Sequence, residues 1–147
     1  MSATAGQAAE GVRSLADRFG IEPDMVVMEM GYDDDVDFEL RDALAEACGS
    51  DLVDEDTDEV VDAVLVWYRE DDGDLVDLLV DAIAPLAESG VVWLLTPKSG
   101  RPGHVEPSEI AEAAPTAGLT QTSTLSAGKD WSAARLVAPK AARAPKR

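Results

Sequence analysis

Val91–Leu119 reads V-V-W-L-L-T-P-K-S-G-R-P-G-H-V-E-P-S-E-I-A-E-A-A-P-T-A-G-L. An apolar run, Val91 to Leu95, breaks abruptly into Thr96-Pro97, the pattern of a buried strand and its exit. The loop that follows carries Lys98, Arg101 and His104, spaced by Gly100, Pro102 and Gly103. Pro107 then opens a short helix. Proline suits that position because the N–H it lacks has no intrahelical partner there, and Glu109 in the first turn faces the positive end of the helix dipole. A strand handing a cationic, glycine-bearing loop to a helix N-terminus is one way α/β folds build an anion or nucleotide site. The same connection also serves with no ligand at all.

Working backwards from this stretch, strands and helices alternate. Val12, Leu15 and Phe19 fall at helical spacing, predicting a helix over residues 7–19 that stops at Gly20. Met25 to Met30 (M-V-V-M-E-M) predicts a buried strand interrupted by Glu29, and it runs into Gly31-Tyr32-Asp33-Asp34-Asp35-Val36-Asp37. Leu40, Ala43, Leu44 and Ala47 mark one stripe of a helix from Phe38 to Cys48, with Asp35 or Asp37 as its cap. Leu52-Val53 allows at most a very short strand, and Val60 to Tyr68 predicts a full one. Asp74 to Ser89 predicts a helix whose last turn Pro85 kinks or loosens, with Gly90 releasing the chain into the Val91 strand. Such alternation demands a parallel sheet. Downstream, Leu119 to Ser126 and Trp131 to Ala138 alternate apolar with polar across the short link Ala127-Gly128-Lys129-Asp130, a hairpin closing one edge.

Charge and composition narrow the function classes. The chain has 147 residues, 46% of them apolar, and a net charge of −18. Residues 21–90 hold 24 acidic side chains against two basic ones, Arg41 and Arg69, whereas residues 131–147 hold five basic and no acidic ones. An acidic body repels the phosphates that supply most nucleic-acid affinity. No window approaches the roughly 18 apolar residues of a membrane span. The first residues lack a basic segment followed by an apolar one, so a cytoplasmic location is expected. Cys48 is the single cysteine, which excludes an internal disulfide and fits a small core residue better than a reactive thiolate.

In open α/β sheets, ligands bind outside the carboxyl ends of the strands. Three such ends can be read: Gly31 to Asp37, Arg69 to Asp72, and Thr96 to His104. Two are acidic and one is basic, so they either neutralise one another across the rim or use Lys98, Arg101 and His104 to hold an anion. The aspartate cluster lacks the glycine and distal glutamate of a calcium loop, so no metal is expected. His104 has no nucleophile beside it and no G-x-S-x-G elbow is present.

The order of elements resembles the class I S-adenosylmethionine-dependent methyltransferase fold, above all its second half and closing antiparallel pair. In that family the first strand enters a loop of the type E/D-x-G-x-G-x-G. Glu29-Met30-Gly31 matches its start, but Tyr32-Asp33-Asp34-Asp35 stand where further glycines belong, and bulky anionic residues obstruct a close backbone approach. No acidic-Pro-Pro-aromatic motif follows the Val60 strand, and one or two strand–helix units are missing. The resemblance implies a trimmed relative without the cofactor. Over about Gly11 to Lys140 the chain is also similar to the actinobacterial domain-of-unknown-function family 3052. The matching motifs are G-Y-D-D-D-V-D (31–37), D-L-V-D (74–77), W-L-L-T-P-K-S-G-R-P-G-H-V (93–105), E-A-A-P-T-A-G-L (112–119) and K-D-W-S (129–132). That resemblance implies a cytoplasmic actinobacterial protein and no particular activity.

The expected architecture is a three-layer, Rossmann-like and methyltransferase-like α/β domain over residues 1–137, its mostly parallel sheet closed by a C-terminal antiparallel pair. Residues 138–147 are expected to form a basic, disordered tail. The expected function is a non-catalytic binding or regulatory module. It would engage a partner protein or a small anionic ligand at the rim, through Lys98, Arg101, His104, Gly31, Asp33, Asp35 and Arg69, with no cofactor and no metal. The alternative is a methyltransferase or other small-substrate enzyme with His104 as acid/base.

Overall fold

Residues 16–138 are described by a computed structural model, and a five-stranded sheet runs through them. Its strands are β1 (Val27–Met30), β2 (Val61–Trp67), β3 (Leu86–Pro97), β4 (Thr120–Ala127) and β5 (Trp131–Val137), in the spatial order β1-β2-β3-β5-β4. β1, β2 and β3 are parallel, and β5 is antiparallel to both β3 and β4. The fold is the expected mixed α/β layer sandwich.

β1 and β2 are almost uniformly apolar because helices cover both faces of the sheet. On one face α1 (Phe38–Cys48) sets Leu40, Leu44 and Cys48 against Val27, Leu65, Trp67, Trp93 and Trp131. On the other, α2 (Leu75–Ile83) and α3 (Pro107–Thr116) set Leu79, Ile110 and Ala114 against Val64, Val66, Val92 and Leu94. Each such large aliphatic side chain contributes roughly 1.5–3 kcal/mol over leaving it exposed, so these two clusters hold the layers together.

The helices start where their caps say. Asp37 accepts from the Leu40 N–H at 2.8 Å to begin α1, and Asp74 accepts from the Asp77 N–H at 3.1 Å to begin α2. Pro107 occupies the first turn of α3. Val53 makes a single parallel bridge to Met28, its N–H donating to the Val27 carbonyl and its carbonyl accepting from Glu29 N–H. The expected Leu52-Val53 strand is thus reduced to one residue laid along the outer edge of β1.

The helix expected over Asp74–Ser89 is a correction. α2 ends at Ile83, and Leu86 already pairs with Val61 as the first residue of β3. Pro85 does more than loosen a last turn: it has no N–H to continue the helix, and its carbonyl accepts from Val61 N–H at 2.9 Å. Gly90 lies inside the strand and not ahead of it, at an irregularity where the Leu86 side chain fills the space a Cβ would need. At the chain's ends, residues 16–18 are helical and Ala16 and Phe19 are buried. The rest of the expected N-terminal helix, and the expected tail beyond Ala138, lie outside the described residues. Among the described residues no helix is long and apolar enough to cross a membrane.

Candidate functional site: the carboxyl-end rim

β1, β2 and β3 end side by side, so the loops that leave them share one rim. Gly31 begins the first loop at φ +80°, and a Cβ there would overlap the carbonyl oxygen of Trp67 at the end of β2. The glycine is therefore required by the crossing of two strand ends, whether or not a ligand approaches. Asp33 turns back on its own loop, accepting from the Asp34 N–H at 2.7 Å. Asp35 reaches across the rim.

Its partner is Arg69, the first residue beyond Tyr68 on the second loop. Arg69 Nε and Nη2 hold both oxygens of Asp35 in a fork, at 3.1 and 2.5 Å. Arg69 Nη1 donates to the carbonyls of Gly31 (2.8 Å) and Trp67 (3.1 Å) and to Asp72 (3.1 Å). The guanidinium also lies 5.2 Å from the Trp131 ring, whose own N–H donates to the Asp35 carbonyl at 3.0 Å. With its side chain only 13% exposed, Arg69 is a structural hub with its donors already committed. The hydrogen-bonded guanidinium holds the Asp35 carboxyl below its ordinary value, against the opposing effect of burial.

Lys98, Arg101 and His104 of the third loop each bind a different partner within the chain. Lys98 Nζ donates to Ser126 Oγ (2.7 Å) and the Gly128 carbonyl (3.1 Å), pinning the loop to the β4–β5 turn. Arg101 pairs with Asp130 at 2.8 Å, both half-exposed. His104 Nδ1 lies 2.9 Å from the Pro97 carbonyl. A carbonyl only accepts, so Nδ1 carries the proton, and Nε2 is the ring nitrogen left facing away from that bond. The structure joins Gly31, Asp35 and Arg69 into one network, and leaves Lys98, Arg101 and His104 on separate anchors. Among the described residues, no group of three or more His, Cys, Asp or Glu side chains is placed to hold a metal.

Two features escaped the sequence reading. Glu29, taken as an interruption of β1, is 8% exposed on the α1 face, where it accepts from Arg41 Nε and Nη2 (2.5 and 2.8 Å) and from Trp67 Nε1 (2.8 Å). A lone carboxylate in an apolar strand followed 12 residues later by a lone arginine on a helix was the available signal. Arg41 in turn lies 4.7 Å from the Tyr32 ring, and Tyr32 and Phe38 stand edge to face while half-exposed. Two small clefts also open on the rim. One, of about 230 Å³, lies between Asp35, Arg101, Asp130 and Trp131. The other, of about 240 Å³, lies across Pro97 from it, between β3, β5 and the start of α3.

A parallel sheet carrying a closing antiparallel pair, with its loops gathered at one rim, defines the methyltransferase-like class of Rossmann-like folds. Solved structures bear this out. The chain is similar to an S-adenosylmethionine-dependent methyltransferase of Aquifex aeolicus, with TM-score 0.59 and 12% identity over 85% of this chain and 88% of that one. It is similar to one of Thiobacillus denitrificans in complex with S-adenosyl-L-homocysteine, with TM-score 0.58 and 9% identity over 88% and 91%. At these identities the likeness shows the fold alone. By sequence, residues 16–140 match the family described as protein of unknown function DUF3052, and the chain belongs to that family. Uncharacterised proteins of Mycobacterium bovis and Mycobacterium tuberculosis are 59% identical to it over 140 residues, covering 95% of this chain and 87% of theirs.

Proposed function

We propose that this protein is a non-catalytic binding or regulatory module built on a methyltransferase-like scaffold, engaging a partner protein or a small ligand at the carboxyl-end rim. The observation that carries this reading is the seat of Arg69. Where β1 and β2 end, the side of the rim on which an α/β fold receives its nucleotide, the guanidinium is already bonded to two backbone carbonyls and two aspartates. A ligand entering there would have to displace a forked ion pair whose arginine is largely enclosed. The half-exposed Tyr32 and Phe38 beside Arg41 support a protein partner, because exposed aromatics are enriched where proteins meet. A small anion is less well served, since Lys98 and Arg101 already bind their own chain.

Calorimetry with S-adenosylmethionine and S-adenosyl-L-homocysteine tests this reading. The expected result is no saturable heat with either compound. Saturable micromolar binding of either compound would sink the reading in favour of a methyltransferase with His104 as acid/base.

A further inference from the structure

We propose that the cleft between β3, β5 and the start of α3 binds a small uncharged heteroaromatic ring of nucleobase size. This deepens the binding-module reading and rests on it for the idea that the rim recognises rather than reacts. At the cleft floor, Thr96 of β3 and Ser132 of β5 are register partners, so their side chains stand together on the α3 face. Thr96 is 4% exposed, yet its hydroxyl makes no hydrogen bond among the described residues. No fully enclosed side-chain polar atom there is left without a partner, so this hydroxyl must open into the cleft. The partly buried Ser132 Oγ and, nearer solvent, Thr124 Oγ1, the Gln121 amide and His104 Nε2 likewise have no protein partner among the described residues.

The buried Thr96 hydroxyl is the group that asks for a partner, and a ligand seated over it that supplies both donors and acceptors would also meet the more exposed polar groups around the cleft. The walls say which kind. Pro97, Pro107 and Ile110 present apolar surfaces, and no carboxylate, lysine or arginine lines the space. Uncharged walls favour an uncharged ligand, since an ion would lose hydration without gaining a counter-charge. The volume of about 240 Å³ lies below the usual range for drug-sized ligands, which fits one ring system and excludes a whole dinucleotide or S-adenosylmethionine. Apolar side walls over hydroxyls suit a ring whose faces are apolar and whose rim hydrogen-bonds. A ring N–H would meet His104 Nε2, and ring carbonyls or amines would meet Thr96 and Ser132.

The test is amide-resolved NMR of the full chain titrated separately with uracil, adenine and glucose. The expected result is saturable shifts with uracil or adenine, confined to residues around Thr96, His104, Thr124 and Ser132. Thr96→Val, which keeps the shape and removes the hydroxyl, should weaken binding by about tenfold, as losing one hydrogen bond to a buried partner does. Ser132→Ala, nearer the surface, gives the same readout should Thr96→Val fold poorly. Absence of saturable shifts with either base overturns the proposal, as does binding that neither substitution weakens. Tighter binding of glucose at the same resonances overturns the ligand class. Titrating the same sample with S-adenosylmethionine separates the two readings. Shifts around Gly31 to Asp35 and Arg69 would break the non-catalytic reading and leave the cleft assignment standing.

Discussion

On the β1–β2 side of the rim the structure is held by charge, and on the β3–β5 side by apolar packing and hydroxyls. Residues 21–90 carry 24 acids and only two cations, Arg41 and Arg69. Arg69, just beyond β2, gathers Asp35 and Asp72, and Arg41 reaches from α1 to Glu29 near the end of β1. Residues 91–138 carry four acids and four bases, and their charged pairs lie at the surface, as Arg101 and Asp130 do. In an acidic half, a scarce arginine placed at a strand end joins neighbouring loops that would otherwise repel one another. An arginine committed in that way is not free to bind a ligand. In the other half the charges balance and pair at the surface, and that is where the partner-free hydroxyls collect.

The comparison predicts that cuts on the charged side are expensive. Arg41→Ala should have the largest effect, because it leaves the Glu29 carboxylate buried with only the Trp67 N–H beside it. The expected loss is about 3 kcal/mol, the scale for breaking a buried pair from one side, read as a lower urea midpoint with an unchanged slope. A loss below about 1 kcal/mol would mean that water reaches Glu29 and that the cluster is not a structural hub. Gly31→Ala comes next. Its Cβ would strike the Trp67 carbonyl in a left-handed backbone, so about 2 kcal/mol is expected in the same assay, with no ligand present. A near-neutral result would leave the glycine without its structural reason and return it to the cofactor question.

How far the sequence reached follows the same division. Helix α1 was legible to its last residue, because an aspartate cap, a 3.6-residue apolar stripe and a terminal glycine all agree on it. The hairpin of β4 and β5 was legible from alternation and a short polar turn. Where the reading failed, two local signals conflicted. The apolar spacing of Leu75, Val76, Leu79, Ala82 and Ile83 continues smoothly into Leu86, and only the backbone pairing of Pro85 and Leu86 with Val61 shows that the chain has left the helix. Glu29 was misjudged for a related reason. A buried carboxylate makes sense only beside partners 12 and 38 residues away, and no periodicity reports contacts at such distances. At the rim, charge signs announced neutralisation between loops. They did not reveal that Arg69, rather than the loop of Lys98, Arg101 and His104, would be its centre.

The smallest effects should separate the two surface pairs, and pH is the means of telling them apart. Asp35 is held below its ordinary carboxyl value by the Arg69 fork, so its pairing stabilises the folded chain fully above about pH 4 and is lost as pH falls through the lower, folded value. Asp35→Asn removes that dependence. Its urea midpoint should lie below wild type at neutral pH, and the two curves should converge in acid. Asp35 is half-exposed, so solvent screening keeps the difference small. Arg101→Ala, on the other side of the rim, loosens a monodentate pair whose two partners are each about half in water, and should shift the midpoint by less than about 0.5 kcal/mol at any pH. If Arg101→Ala costs as much as Asp35→Asn, or if Asp35→Asn keeps the acid slope of wild type, the rim is not divided as described. The charged lock would then extend over Pro97 to the mouth of the uncharged cleft.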